Sequence, residues 1–104
     1  MGTLGPSLTV SGVFMKKKLL FIYNPKAGKA QIKNKLSEIL DLFTTAGYEV
    51  TAVPTQKRGD ACRVAADRTA DYELLVCGGG DGTLDEAVTG MVQSGFLTPI
   101  GYIP

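Results

Sequence analysis

The sequence predicts an α/β fold in which a parallel sheet forms the middle of three layers, with helices on both faces. Three observations support it. Apolar strand-like runs alternate with amphipathic helical segments, the connections are long enough for crossovers, and turn residues follow the strands. Because ligands of such sheets bind beyond the carboxyl ends of the strands, we expect loops 24–29, 54–59 and 78–83 to converge on one edge.

The first half of the chain predicts two strands joined by a helix. Residues 19–23 form a continuous apolar run, which is typical of a strand buried on both faces. The segment 30–46 has helical spacing of its apolar residues and ends at Gly47. Its predicted inward residues are Ile32, Leu36, Ile39, Leu40 and Phe43. Residues 48–53 are β-rich and form the second predicted strand, which Pro54 ends.

The second half adds two helices and two strands. We predict Asp60 as the N-cap of a helix that runs to about Thr69 and turns Ala61, Val64 and Ala65 inward. Residues 74–77 and 98–103 are predicted strands, and residues 83–94 a helix between them. The predicted inward face of that helix consists of Leu84, Ala87, Val88, Met91 and Val92.

Composition excludes several kinds of site. The chain of 104 residues suits one domain, and it contains no histidine, so a general base within it must be a carboxylate, a lysine or a tyrosine. Cys62 and Cys77 lie in apolar surroundings and are predicted to be buried, reduced thiols of a cytoplasmic protein. No apolar run reaches the twenty or so residues that span a bilayer. Residues 1–14 are interpreted as a leader or extension without a role in the chemistry.

The N-terminal third is basic. Seven lysines precede the first acidic residue, Glu38, although the formal net charge of the whole chain is only +1. A solvated surface explains such a bias, and so does attraction to anions or to a membrane surface. The sequence leaves the two open.

The most informative stretch is the junction after the third strand. Gly78, Gly79 and Gly80 permit close backbone approach, and the helix that follows presents amide groups that favour anions. A tight turn without a ligand would need no more than the glycines. With Asp81, Gly82 and Thr83 added between strand and helix, we favour a nucleotide phosphate site, in which Thr83 is either the helix N-cap or a phosphate contact.

Carboxylates at this junction need a role. Asp81 repels phosphate unless a cation bridges them or the carboxylate handles a proton. Asp85 and Glu86 either stabilise the helix dipole or, in the case of Asp85 with Asp81, hold a hydrated magnesium ion.

The loop after the first strand is a second candidate phosphate contact. Its glycine and two ammonium groups suit phosphate oxygens, and a plain polar loop would not require them. Its residues are Asn24, Pro25, Lys26, Ala27, Gly28 and Lys29. The spacing is not that of a Walker A loop.

Three motifs in order resemble the catalytic domain of diacylglycerol kinases and sphingosine kinase-like lipid kinases, above all the soluble bacterial branch. They are Asn24-Pro25-x-Ala27-Gly28, then Thr55 with Gly59-Asp60-Ala61, then Gly79-Gly80-Asp81-Gly82-Thr83-Leu84-x-Glu86. The resemblance covers residues 17 to 104.

The resemblance implies an NAD kinase-like nucleotide-binding domain that binds ATP with magnesium and phosphorylates a lipid hydroxyl. It implies that Asp81 is the essential acidic residue. It also implies nucleotide or phosphate contacts from the loop Asn24 to Gly28, from Thr55, and from Gly79 to Leu84. We expect no nucleic-acid partner, and we expect a cytoplasmic protein that contacts a membrane only peripherally.

Two departures from the family pattern qualify these expectations. Asp85 stands where the family commonly has asparagine. The next phosphate-loop motif and a β-rich second domain are absent, so we expect a truncated domain that binds nucleotide without turnover. An NAD kinase-type enzyme and a non-catalytic nucleotide-sensing module remain as alternatives. An exposed edge strand would also favour homo-oligomers.

Overall fold

The structure, a computed structural model, describes residues 16–27 and 31–104; the predicted leader and the predicted site residues Gly28 and Lys29 lie outside these ranges. A short 3-10 turn at Thr69–Asp71 extends the second helix. The regular elements are β1 (Lys17–Tyr23), α1 (Gln31–Thr45), β2 (Tyr48–Pro54), α2 (Asp60–Arg68), β3 (Leu74–Gly78), α3 (Asp81–Ser94) and β4 (Ile100–Ile103).

All four strands pair in parallel, in the order β2-β1-β3-β4, which confirms the predicted sheet. The chain moves from β1 outward to β2 and then returns past β1 to β3. The direction of winding therefore reverses between β1 and β3, which is where open α/β sheets form a ligand crevice.

Two apolar clusters, one on each face of the sheet, form the core. Leu20, Ile22 and Leu75 face α2 and α3, whereas Leu19 and Phe21 face α1. Every predicted inward residue of α1 and α2 packs into its cluster. The central strands β1 and β3 are buried on both faces because alternate side chains enter opposite clusters.

The inward face of α3 differs from the prediction. Val92 is 61% exposed and Val88 is 36% exposed. The helix instead turns Gly90 against α2, where a Cβ atom would overlap with the carbonyl oxygen of Cys62. The two backbones approach closely only if Gly90 faces inward, and this orientation turns both valines outward.

The starts of two helices and the burial of one cysteine also differ from the predictions. Helix α3 begins at Asp81, two residues before the predicted start, and the N-cap of α2 is Gly59 rather than Asp60. Burial raises the pKa of the Cys77 thiol to about 12, whereas Cys62 is only partly buried; both are free thiols. Within the described residues, no helix is long and apolar enough to cross a membrane.

Candidate functional site

The carboxyl ends of the strands lie at one level. Tyr23 is in register with both Pro54 and Gly78, and Gly78 is in register with Ile103. The hydrogen-bonding pattern continues past the ends, because the Asn24 amide donates to the Gly78 carbonyl at 3.0 Å. The three predicted loops therefore leave the sheet side by side, as expected.

The turn after β3 depends on a glycine. Gly79 has φ +119°, and a Cβ atom there would lie 3.2 Å from the Cβ atoms of both Ala27 and Asn24. An L side chain is strained at such a φ and would also push the β1 loop away. Gly79 thus lets the loops after β1 and β3 pack against each other.

Asn24 organises the β1 loop from within. Its side-chain oxygen accepts a hydrogen bond from the Lys26 amide at 2.9 Å, and its carbonyl accepts one from the Ala27 amide at 3.2 Å. This turn presents the Lys26 side chain to solvent at the edge of the sheet.

Asp60 performs the same task for the β2 loop. One of its carboxylate oxygens accepts hydrogen bonds from the Gln56 amide at 2.7 Å and the Lys57 amide at 3.1 Å, and the other accepts from Arg63 at 2.7 Å. The bond from the Gln56 amide, followed by that from Arg63, lowers the pKa of Asp60. Asp60 therefore fixes the loop that precedes α2 and does not cap the helix itself.

Glu86 connects the two helices at this edge. Its carboxylate accepts a hydrogen bond at 3.0 Å from the amide of Gly59, which is the N-cap of α2. The amino end of a helix favours negative charge, so the carboxylate of Glu86 stabilises the start of α2.

A cavity of about 290 Å³ lies between these loops. Six of the predicted site residues line it, together with four that were not selected from the sequence. The predicted ones are Asn24, Lys26, Thr55, Gly82, Thr83 and Glu86, and the additional ones are Gln56, Lys57, Arg58 and Ala61. Lys57 and Arg58 lie in the loop that was predicted after β2, and their positive charge was the signal that could have identified them as site residues.

The other predicted site residues within the described ranges lie beside the cavity rather than in its wall: Pro25, Ala27, Gly79, Gly80, Asp81, Leu84 and Asp85. Leu84 packs against the core cluster on the α2 and α3 face. Asp81 is exposed as the first residue of α3, and Asp85 follows one turn later, also exposed.

Thr83 is not the N-cap of α3. Gly80 takes that position without a side-chain hydrogen bond, and Thr83 is buried, with 8% of its surface exposed. Its amide donates one of the first hydrogen bonds of the helix, to the Gly80 carbonyl at 3.1 Å. The amides of Asp81 and Gly82 come before that bond, at the positive end of the helix dipole.

Residues 16–27 and 31–104 contain no cluster of three or more acidic or cysteine side chains that could enclose a metal ion. Asp81 and Asp85 are the two carboxylates at the start of α3. This arrangement suits an ion that keeps most of its water and takes one or two carboxylates, as magnesium does beside phosphates.

Comparison with known proteins is consistent with this architecture. The family model described as diacylglycerol kinase catalytic domain matches residues 18–104. A protein of Staphylococcus carnosus (strain TM300) named diacylglycerol kinase is 44% identical over 92 residues, which cover 86% of this chain and 30% of that protein. A protein of the same name from Staphylococcus aureus (strain MRSA252) is 41% identical over 92 residues, which are 86% of this chain and 29% of that protein.

Solved structures agree. A diacylglycerol kinase from Bacillus anthracis str. Sterne superposes with a TM-score of 0.72 at 26% identity, over 88% of this chain and 34% of that one. A second structure from the same organism gives 0.75 at 28% identity, over 86% of this chain and 32% of that one. The chain spans about 30% of the length of the curated relatives it matches. The resemblance noted in the sequence is confirmed: the chain belongs to the diacylglycerol kinase catalytic domain family.

Proposed function

We propose that the cavity at the carboxyl edge binds the phosphate groups of ATP, and that residues 15–104 form the nucleotide-binding domain of a lipid kinase. The acceptor would be a lipid hydroxyl such as that of diacylglycerol. The observation that carries the proposal is the convergence of three cationic side chains and the start of α3 on one cavity at the β1 and β3 crevice.

Charge favours an anionic ligand. Lys26, Lys57 and Arg58 line the cavity against a single carboxylate, Glu86, which is already hydrogen-bonded to Gly59. A nucleotide triphosphate offers oxygens that both guanidinium and ammonium groups bind. Because the cations are exposed, the attraction should weaken as salt is added.

The backbone supports the same ligand. Gly82 lines the cavity at the first turn of α3, and apart from its chain neighbours and the backbone of its own helix no atom lies within 4 Å of the position that its Cβ would take. A phosphate oxygen can therefore approach the helix start without steric hindrance. Asn24 and Asp60 fix the backbone of the two loops that carry the cations, so the loop backbone needs little ordering when the ligand binds.

Magnesium fits the start of α3. Asp81 and Asp85 would hold the hydrated ion from one side while the nucleotide phosphates hold it from the other. Bound ATP would supply the phosphoryl group, and its magnesium ion would neutralise the charge that develops during the transfer. The residues of this chain would hold and orient the phosphates and keep Asp81 beside them. This is the role that we propose for Asp81 as the essential acidic residue.

We assign only the nucleotide step to these residues, because the chain spans about 30% of the relatives. The lipid cleft and the base that activates the lipid hydroxyl would be contributed by other parts of the complete enzyme. The 104 residues alone should therefore bind nucleotide without phosphorylating lipid. A peripheral contact with the membrane follows from the acceptor, since a diacylglycerol resides in a bilayer.

Calorimetric titration of this chain with ATP and magnesium tests the proposal, with NAD as the competing ligand. We expect ATP to bind and NAD to bind more weakly. The Lys57→Ala variant should lose most of the affinity, whereas the matched Lys35→Ala variant on the exposed side of α1 should bind normally. Equal loss in both variants, or tighter binding of NAD, would contradict the proposal.

Self-association is a separate part of the proposal. Strand β4 has a neighbour only on the β3 side within the described sheet, and large apolar side chains lie exposed near it. They are Phe96, Leu97, Ile100 and Tyr102. A second copy could pair with this edge. Light scattering should show dimers or larger species, and a monomer at high concentration would refute this part alone.

A further inference from the structure

We propose that Tyr102 is a positioning residue that holds the carboxylate of Asp81 in a fixed orientation for the nucleotide-bound magnesium ion. The inference rests on the proposed function and extends it to a residue outside every motif noted in the sequence. Tyr102 lies on β4, and its hydroxyl is 3.0 Å from one carboxylate oxygen of Asp81.

The geometry leaves one oxygen of Asp81 available. The hydroxyl of Tyr102 contacts Oδ1, and within the described residues Oδ2 accepts no hydrogen bond, which leaves it for a magnesium ion or its water. Without this contact, the exposed Asp81 side chain at the start of α3 would sample several rotamers, and a ligand would have to select one of them.

A second contact joins Tyr102 to the glycine turn. The same hydroxyl is 3.1 Å from the carbonyl oxygen of Gly79, and the amide of Gly79 donates to the Ile103 carbonyl at 3.0 Å. The end of β4 therefore contacts the Gly79 residue through both of its backbone polar groups. Strand β4 thus fixes both the turn and the first side chain of α3.

The direction of the hydrogen bond follows from the chemistry of its partners. Gly79 offers a carbonyl and Asp81 a carboxylate, so the hydroxyl of Tyr102 is the donor, and the charged carboxylate is the stronger acceptor. Burial, followed by the hydrogen bond to Asp81, raises the pKa of Tyr102, and the hydroxyl keeps its proton at neutral pH.

The test compares Tyr102→Phe with Tyr72→Phe. The first change removes the hydroxyl and keeps the ring. The second removes a hydroxyl that contacts Arg68 at 3.2 Å, outside the proposed site. Affinities of the 104-residue chain for ATP are measured by calorimetry in magnesium and in EDTA. We expect Tyr102→Phe to weaken binding in magnesium roughly tenfold, as loss of a partner that orients a metal ligand does. Binding in EDTA and the melting temperature should change little.

The double variant with Asp81→Asn separates positioning from a general structural effect. If Tyr102 acts through the Asp81 carboxylate, adding Tyr102→Phe to Asp81→Asn should cause no further loss in magnesium. Equal losses in magnesium and EDTA, or additive losses, would overturn the inference and show that Tyr102 only supports the turn. If the unaltered chain binds no ATP, the proposed function fails as well. If it binds ATP and Tyr102→Phe matches Tyr72→Phe, only the inference fails.

Discussion

The carboxylate of Glu86 on α3 accepts a 3.0 Å hydrogen bond from the amide of Gly59, the N-cap of α2. Both residues border the segments that form the cavity, and Glu86 lines it directly. The bond links the cationic β2 loop to the helix that begins after the glycine turn. The two sides of the proposed phosphate site therefore hold one position relative to each other.

Removing this link should loosen the β2 loop without unfolding the domain. In Glu86→Ala the Gly59 amide loses its acceptor, at a cost of about 1 kcal/mol for a partly exposed charged bond. Glu86→Gln keeps an oxygen at the same place and serves as the control. Hydrogen exchange of the Gly59 amide should be roughly fivefold faster in the alanine variant, which is that energy expressed as a rate ratio. An equal rate in both variants would show that the bond does not persist in solution.

Two glycines of α3 allow packing and ligand binding to be separated. In Gly90→Ala the new methyl group meets the Cys62 carbonyl, and we expect the free energy of unfolding to fall by about 3 kcal/mol, the upper end of typical overpacking costs. In Gly82→Ala the methyl group meets no atom beyond its chain neighbours and the backbone of its own helix, so stability should stay within about 1 kcal/mol.

For ATP affinity we expect the opposite ranking, with Gly82→Ala more harmful than Gly90→Ala. Gly82 lines the cavity, so a methyl group there should obstruct the phosphates and weaken binding even though the domain is stable. Urea unfolding and calorimetry on both variants check this. If Gly82→Ala binds ATP as well as the unaltered chain does, the phosphates do not approach the start of α3.

Asp60 should make stability depend on pH. Its pKa in the folded chain lies below the ordinary value of 3.8. A lowered carboxyl pKa contributes stability that is present above the unfolded value and is lost as pH falls through the folded value. Asp60→Asn should therefore lower the melting temperature at pH 7, and the difference should shrink as the pH falls below about 4. A difference that does not change with pH would mean that the charge of Asp60 is not involved.

Most of the fold could be predicted because its signals are local. The buried run at residues 19–23 and the stops at Gly47, Pro54 and Gly95 locate strands and helix ends without tertiary information. Helix α3 was harder, because its orientation depends on the close contact of Gly90 with α2. Hydrophobicity alone predicted Val88 and Val92 inside, and backbone packing determined otherwise.

The candidate site was also predictable only in part. Loops that follow parallel strands must meet at one edge, so their convergence was predictable from topology. The role of Asp60 was not, because a carboxylate near a helix start suits an N-cap as well as the loop contacts that it makes with Gln56 and Lys57. Tyr102 carries no sequence signal, since its contact with Asp81 joins residues on separate elements.

The location of bound nucleotide is the central claim, and NMR chemical-shift mapping of the chain with magnesium ATP tests it most directly. Amide shifts should change in residues 24–27, 55–61 and 79–86, and the lysines at the amino end of β1 and on the outer side of α1 should be unaffected. Shift changes centred on Lys16, Lys17 and Lys18 would instead place the anion at the opposite edge of the sheet. That result would contradict the proposed site.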